Sequence, residues 1–177
     1  MTTWVALLRG VNVGGITIRS ADLGALFREQ GFDDVRTFLA SGNVRFETDA
    51  AAVHRAALKS RIEAALRDRF SYDAWIVLVT RSELDAAIDG FPFDADNPAR
   101  QPWVVFCTDE ATRTELAAAA ASLDPSVDPI STGPGVVYWN PVKGTTVDTP
   151  FAKMLAKARY KATTTNRNLR TLVKIAS

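Results

Sequence analysis

Four short apolar runs alternate with two amphipathic stretches in the first 80 residues, and few folds accept that order. Residues 4–9 are apolar up to a terminal Arg9, the pattern of a buried strand. Residues 10–15, reading Gly-Val-Asn-Val-Gly-Gly, break it. Ser20 is placed to cap a helix that carries Leu23, Leu26 and Phe27 on one face, and Gly31 is placed to end it. Residues 35–40 and 44–48 predict two strands, joined at Gly42-Asn43 by a two-residue hairpin turn. Residues 52–69 predict a long helix with Val53, Ala57, Leu58, Ile62 and Leu66 inward, and Arg55, Lys59 and Arg67 outward. Residues 75–79 supply the fourth strand. The order β-α-β-β-α-β is that of the ferredoxin-like split unit.

The second half reads as a looser copy. A helix over 82–88 leads to a loop, 91–102, that opens on Phe91-Pro92-Phe93 and suits either a lid or a linker. A strand over 103–107, a helix over 109–123 and two strands at 130–132 and 136–139 follow, the last two paired across Gly133-Pro134-Gly135. Thr149-Pro150 marks a helix start, with Thr as cap and Pro at the first helical position. The last helix is expected to begin at Thr165 or Asn166, with Leu169, Leu172, Val173 and Ala176 on one face. The fold class is therefore α+β with two small subdomains, residues 1–80 and 81–177. Both faces of 4–8 and 75–79 are apolar, so one face of that sheet is expected to pack on the second half.

Composition excludes several classes. At 177 residues, 47% hydrophobic and 23% charged, the chain is neither disordered nor fibrous. One cysteine, Cys107, rules out a disulfide framework, and one histidine, His54, rules out a His-rich zinc site within one chain. No basic leader and no apolar run near the roughly 18 residues of a membrane span is present, so a soluble cytoplasmic protein is expected. The net charge of +1 hides an asymmetry: residues 81–150 hold 4 basic and 11 acidic side chains, and residues 151–177 hold 7 basic and none acidic. That basic segment suits either an anionic partner or pairing with the acidic stretch before it.

Topology points to a site. In a split unit the first two strands are parallel with the third between them. The exit of the first strand and the turn between the second and third therefore lie at one end of the sheet. Arg9, Asn12, Gly14 and Gly15 come beside Ser41, Gly42 and Asn43. Glycine backbone N–H groups can converge on an anion, and Arg9 adds a planar, fixed charge. Asn12, Ser41 and Asn43 offer neutral hydrogen bonds. Arg81 follows the fourth strand and belongs at the other end. The Gly spacing matches neither the dinucleotide fingerprint nor a P-loop, and two ordinary turns would explain the same residues. A second candidate is the last helix, where Arg167 and Asn168 stand near an N-terminus, and Arg167, Arg170 and Lys174 form a stripe. His54 reads as a surface residue, Cys107 as a small core residue, and Trp103 and Trp139 as core. Asp94 and Asp96 lack the further ligands of a calcium loop.

The residues Ala-Leu-Leu-Arg-Gly-Val-Asn-Val-Gly-Gly over 6–15, then Leu23 to Gly31-Phe32, Val-Arg-Thr-Phe over 35–38 and Ser-Gly-Asn-Val over 41–44 resemble the opening of a bacterial family known as domain of unknown function 1697. Later markers are residues 79–84, Phe91-Pro92-Phe93, Pro141 with Gly144, and Thr165 to Asn168 leading to Lys174. The resemblance implies a two-part α+β protein whose first part is ferredoxin-like, and no established reaction. Arg9, Asn12, Gly14, Gly15, Ser41, Gly42, Asn43, Arg167 and Asn168 match its motifs. The family's tail usually reads Arg-Asn-Trp-Asn-Thr, whereas this chain has Leu169 and Arg170 in the third and fourth places, and a Ser-Lys-Leu stretch is not evident near Thr149.

Four functions compete. One is binding of a small anion, a nucleotide or phosphorylated metabolite, at the end of the first sheet. The second is an enzyme of unknown reaction using the same cradle, for which no nucleophile or acid–base pair can be named. The third is nucleic-acid binding, for which residues 41–46 keep only a trace of an RNA-binding pattern, with Phe46 its one aromatic. The fourth is a scaffold. No cofactor and no oligomeric state can be read from the residues.

Overall fold

The computed structural model of the chain describes residues 1–11, 16–71 and 73–177. The elements run β1 (Thr2–Leu8), α1 (Ser20–Glu29), β2 (Asp33–Phe38), β3 (Asn43–Thr48), α2 (Arg55–Phe70), β4 (Ile76–Thr80), α3 (Arg81–Asp89), β5 (Trp103–Cys107), α4 (Glu110–Ala120), β6 (Ile130–Gly133), β7 (Val136–Trp139), α5 (Pro150–Leu155), β8 (Thr164–Asn168) and α6 (Leu169–Ala176). Contacts divide them into two compact units, Met1–Leu84 and Asp85–Ile175.

In the first unit the sheet order is β2-β3-β1-β4, with every neighbouring pair antiparallel. That is the ferredoxin-like arrangement. Alternation decides which side chains face the helices. Trp4, Ala6 and Leu8 of β1, Val44 and Phe46 of β3, and Ile76 and Leu78 of β4 join Leu23, Leu26 and Phe27 of α1 and Leu58, Ile62 and Leu66 of α2 in one core. Three rings, Phe27, Phe32 and Phe46, cluster there with centroids 4.6–5.9 Å apart. On the opposite face, Val5, Leu7, Val77 and Val79 are buried too, so both faces of β1 and β4 are withdrawn from water.

Local details depart from the sequence reading. Ser20 is the first helical residue of α1, and Arg19 holds the cap position without a side-chain cap. Val53 and Ala57 are exposed, because the chain enters α2 through a 3-10 turn over Ala52–His54. The inward stripe is Leu58, Ile62 and Leu66, with Glu63 beside it. Glu63 is buried and its Oε2 accepts from the Ile76 backbone N–H at 3.3 Å. The hairpin between β2 and β3 is not a two-residue turn. Phe38 pairs with Asn43, leaving residues 39–42 as the loop.

The second unit repeats the topology, with sheet order β6-β7-β5-β8 and antiparallel pairs throughout. Its core joins Val105, Leu116, Val137, Trp139, Phe151, Leu155 and Tyr160. Trp103 and Cys107 pack against it, half-buried. Asp109 caps α4 by accepting from Thr112 N–H at 2.7 Å, and Thr149 caps α5 by accepting from Ala152 N–H at 3.1 Å. Asp128 is buried and ties two elements. It accepts from Trp139 Nε1 at 2.8 Å and from the Phe151 backbone N–H at 3.1 Å. The stretch 91–102 is anchored within this unit. Phe91 stacks edge-on against Tyr138, Arg100 donates to Ser126 O and Asn140 O, and Gln101 N–H donates to Pro141 O.

The end of the chain is where the sequence reading fails most. Thr165 and Asn166 do not start a helix. They lie inside β8, an edge strand paired with β5. The helix α6 begins at Leu169, and its buried residues are Leu169, Leu172 and Ile175, while Val173 is 50% exposed. Arg167 is therefore a strand residue, and the stripe with Arg170 and Lys174 does not exist. Among the described residues, Arg159 pairs with Glu115, and the exposed Lys153, Lys157, Lys161, Arg170 and Lys174 make no ion pair.

Candidate ligand-binding site at the end of the first sheet

The strand registers assemble the site. Leu7 pairs with Asn43, and the next step is closed by a hydrogen bond from Leu8 N–H to Gly42 O at 2.9 Å. Continuing the register sets Ser41 beside Arg9. On the other side, Leu8 pairs with Ile76, and Arg9 N–H donates to Trp75 O at 3.0 Å. Side chains opposite one another across an antiparallel pair share a face. Arg9 and Trp75, each one residue beyond β1 and β4, thus stand side by side at one end of the sheet, next to the turn that carries Ser41.

Arg9 is half-buried, and burial pushes its guanidinium below the ordinary value. Gly10 follows with φ +76, and a parallel bridge joins Val11 to Ile16. Asn12, Gly14 and Gly15, named from the sequence, lie outside the described residues. Arg81 follows the far end of β4, away from Arg9.

The turn is held from inside. Asn43 is fully buried, and its Nδ2 donates to Phe38 O at 2.8 Å and to Ser41 Oγ at 2.9 Å. Those bonds brace residues 39–42, so Asn43 acts on the turn's shape. Gly42 is needed for two reasons. Its φ is +78, and an added Cβ would stand 2.9 Å from Leu8 Cβ. Leu39 adopts φ +57 without being glycine and is 50% exposed. Ser41 is exposed at the turn's tip.

Arg167 and Asn168 belong to the second unit. Arg167 is buried, and its Nη1 donates to Thr165 Oγ1 at 2.8 Å and to Asn166 O at 3.0 Å. Asn168 caps α6, its Oδ1 accepting from Arg170 N–H at 3.0 Å. Phe46 packs in the first core, so no aromatic of residues 41–46 is displayed for stacking on a base. His54 is exposed, and among the described residues no group of three His, Cys, Asp or Glu gathers to hold a metal. Burial and the nearby Asp109 carboxylate push the Cys107 thiol up to about 12, so it stays protonated.

The sequence reading passed over Trp75, treating it as the start of a strand. The reasoning that sent Arg81 to the far end of β4 places Trp75 at the near end, so the signal was present. The indole is half-buried, and among the described residues no hydrogen bond or ring contact engages it.

No curated protein matches the chain. Among solved structures, the conserved bacterial protein SP0830 from Streptococcus pneumoniae is similar in fold, with TM-score 0.80 and 22% identity, over 99% of this chain and 97% of that one. Among the described residues of this chain, no helix is long and apolar enough to cross a membrane. The family described as "Protein of unknown function (DUF1697)" matches residues 1–138, and the chain belongs to that family.

Proposed function

We propose that the first unit binds a small anionic ligand, a nucleotide or phosphorylated metabolite, at the end of its sheet. The observation that carries this reading is the half-buried Arg9, its backbone N–H bonded to Trp75 O on one side while the preceding Leu8 N–H is bonded to Gly42 O on the other. Holding a guanidinium partly out of water is unfavourable, and perturbed ionisable groups cluster at functional sites. Arg9 would grip the anion with two parallel N–H donors. Ser41 Oγ would add a neutral hydrogen bond. Asn12, Gly14 and Gly15 would supply an amide and backbone N–H groups from the adjoining segment. Gly42 and Asn43 would preserve the turn that presents Ser41. Arg167 and Asn168, which brace β8 and cap α6, are proposed to be structural.

A thermal-shift titration tests this with adenosine 5′-monophosphate and ribose 5-phosphate on the full chain. A ligand that binds only the folded state raises Tm, by an amount that grows with its concentration. The reading expects at least one of the two to do so in the unsubstituted protein and neither in Arg9→Ala. Equal shifts in both proteins would refute it.

A further inference from the structure

We infer that the site takes an anion bearing a planar aromatic ring, a nucleotide in preference to a non-aromatic phosphorylated metabolite, with Trp75 as the surface on which the ring stacks. This rests on the anion-binding reading above and narrows it.

Trp75 is next to Arg9 across the sheet, joined by the Arg9 N–H to Trp75 O bond at 3.0 Å. Carried one step past the last pair, Leu8 with Ile76, the register sets Arg9 opposite Trp75, which puts both side chains on one face. The other tryptophans differ. Trp4 is fully buried, donates to Ala50 O at 3.0 Å and lies under the Arg55 guanidinium. Trp139 is buried and donates to Asp128. Trp103 is half-buried too, but it packs against the second core, and its Nε1 is enclosed and has no hydrogen-bond partner among the described residues. Trp75 is only half-buried and has no such engagement among the described residues. A large apolar ring left partly in water, beside a cation, is unfavourable for folding and suited to a ring-bearing ligand. Its spacing also fits: cross-strand neighbours lie about 5 Å apart, so one ligand can place its phosphate on Arg9 and its base on the indole.

The test is calorimetric titration of adenosine 5′-monophosphate and of ribose 5-phosphate into the full chain and into Trp75→Leu, with circular dichroism to verify folding. These two ligands differ by the base alone. Base–aromatic stacking gives about a 5- to 150-fold gain in affinity. We expect the nucleotide to bind tighter than the sugar phosphate by a factor in that range, and Trp75→Leu to erase the difference while ribose 5-phosphate affinity stays. Trp75→Phe, which keeps a ring, should restore most of the preference. Equal affinity of both ligands for the unsubstituted protein would overturn the inference with no recourse to a variant, and would leave the anion site standing. A preference that survives in Trp75→Leu would overturn it likewise. Failure of both ligands to bind would overturn the anion site as well.

Discussion

At the scale of single residues, the turn over 39–42 makes opposite demands at its two left-handed positions. Gly42 can adopt φ +78 without strain, whereas Leu39 at φ +57 is a branched side chain where glycine is at ease. Gly42→Ala should therefore destabilise the protein by about 1–3 kcal/mol, combining backbone strain with the clash at Leu8. Leu39→Gly should stabilise it or leave it unchanged, because half the leucine is already in water. Denaturant melts of the two variants check both signs. Asn43 and Gly42 were legible as turn residues in the sequence. Their arrangement was not, because a buried asparagine that bonds back to Phe38 O and Ser41 Oγ can brace a longer loop than the two-residue turn. Cys107 gives a pH prediction. Its thiol titrates near 9.0 when unfolded and is pushed up to about 12 in the folded chain. Above the unfolded value the unfolded state sheds the proton first, so this group's stabilisation is complete below pH 9 and is lost as pH rises towards 12. Cys107→Ala should flatten the fall in stability over that interval, and alkylation of the folded protein at pH 8 should be much slower than of the unfolded chain.

At the scale of elements, the start of α3 shows how local chemistry fixes a boundary. Thr80 Oγ1 accepts from Glu83 N–H at 3.3 Å, and Glu83 Oε2 accepts from Thr80 N–H at 2.8 Å, a reciprocal capping box. Arg55 Nη2 adds an ion pair to Glu83 Oε1 at 2.6 Å. Burial pushes the Glu83 carboxyl up, but the bonds from Arg55 and Thr80 outweigh it and hold the group below the usual carboxylate range. Its stabilisation is present at neutral pH and is lost as pH falls through the acid range. Thr80→Ala should cost about 1 kcal/mol, and a Thr80→Ala, Glu83→Ala cycle should show coupling between the two sites, read from urea melts. Such boundaries are legible where cap and periodicity agree, as they do for α4 and α5. They fail at β8. Its residues, Thr-Thr-Asn-Arg-Asn, lack the apolar alternation that marks a half-buried strand, yet Thr164, Thr165 and Arg167 are buried. Their polar atoms are satisfied inside, Thr164 Oγ1 donating to Tyr160 O and Arg167 Nη1 to Thr165 Oγ1 and Asn166 O, so polar letters fill buried places.

At the scale of the whole molecule, two units share one strand order, β-α-β-β-α-β followed by a helix, without a visible letter-by-letter repeat. The first was legible because its strands are apolar and its turns carry glycine. The second was legible except for the edge strand that completes it. Fold does not assign chemistry, since ferredoxin-like sheets host unrelated functions. What distinguishes this chain is the grouping of Ser41, Arg9 and Trp75 at one end of the first sheet. Ser41 and Arg9 were named from the order of strands alone, and Trp75 is added by the Arg9–Trp75 backbone bond that continues the β1–β4 pairing. The most direct test is to follow backbone and indole N–H resonances of ¹⁵N-labelled protein during titration with adenosine 5′-monophosphate. The account predicts that the largest shifts fall on Arg9, Gly10, Ser41, Gly42 and the Trp75 indole, while the indoles of Trp4 and Trp139, bonded inside the cores, stay in place. Shifts centred elsewhere, or none at millimolar nucleotide, would contradict it.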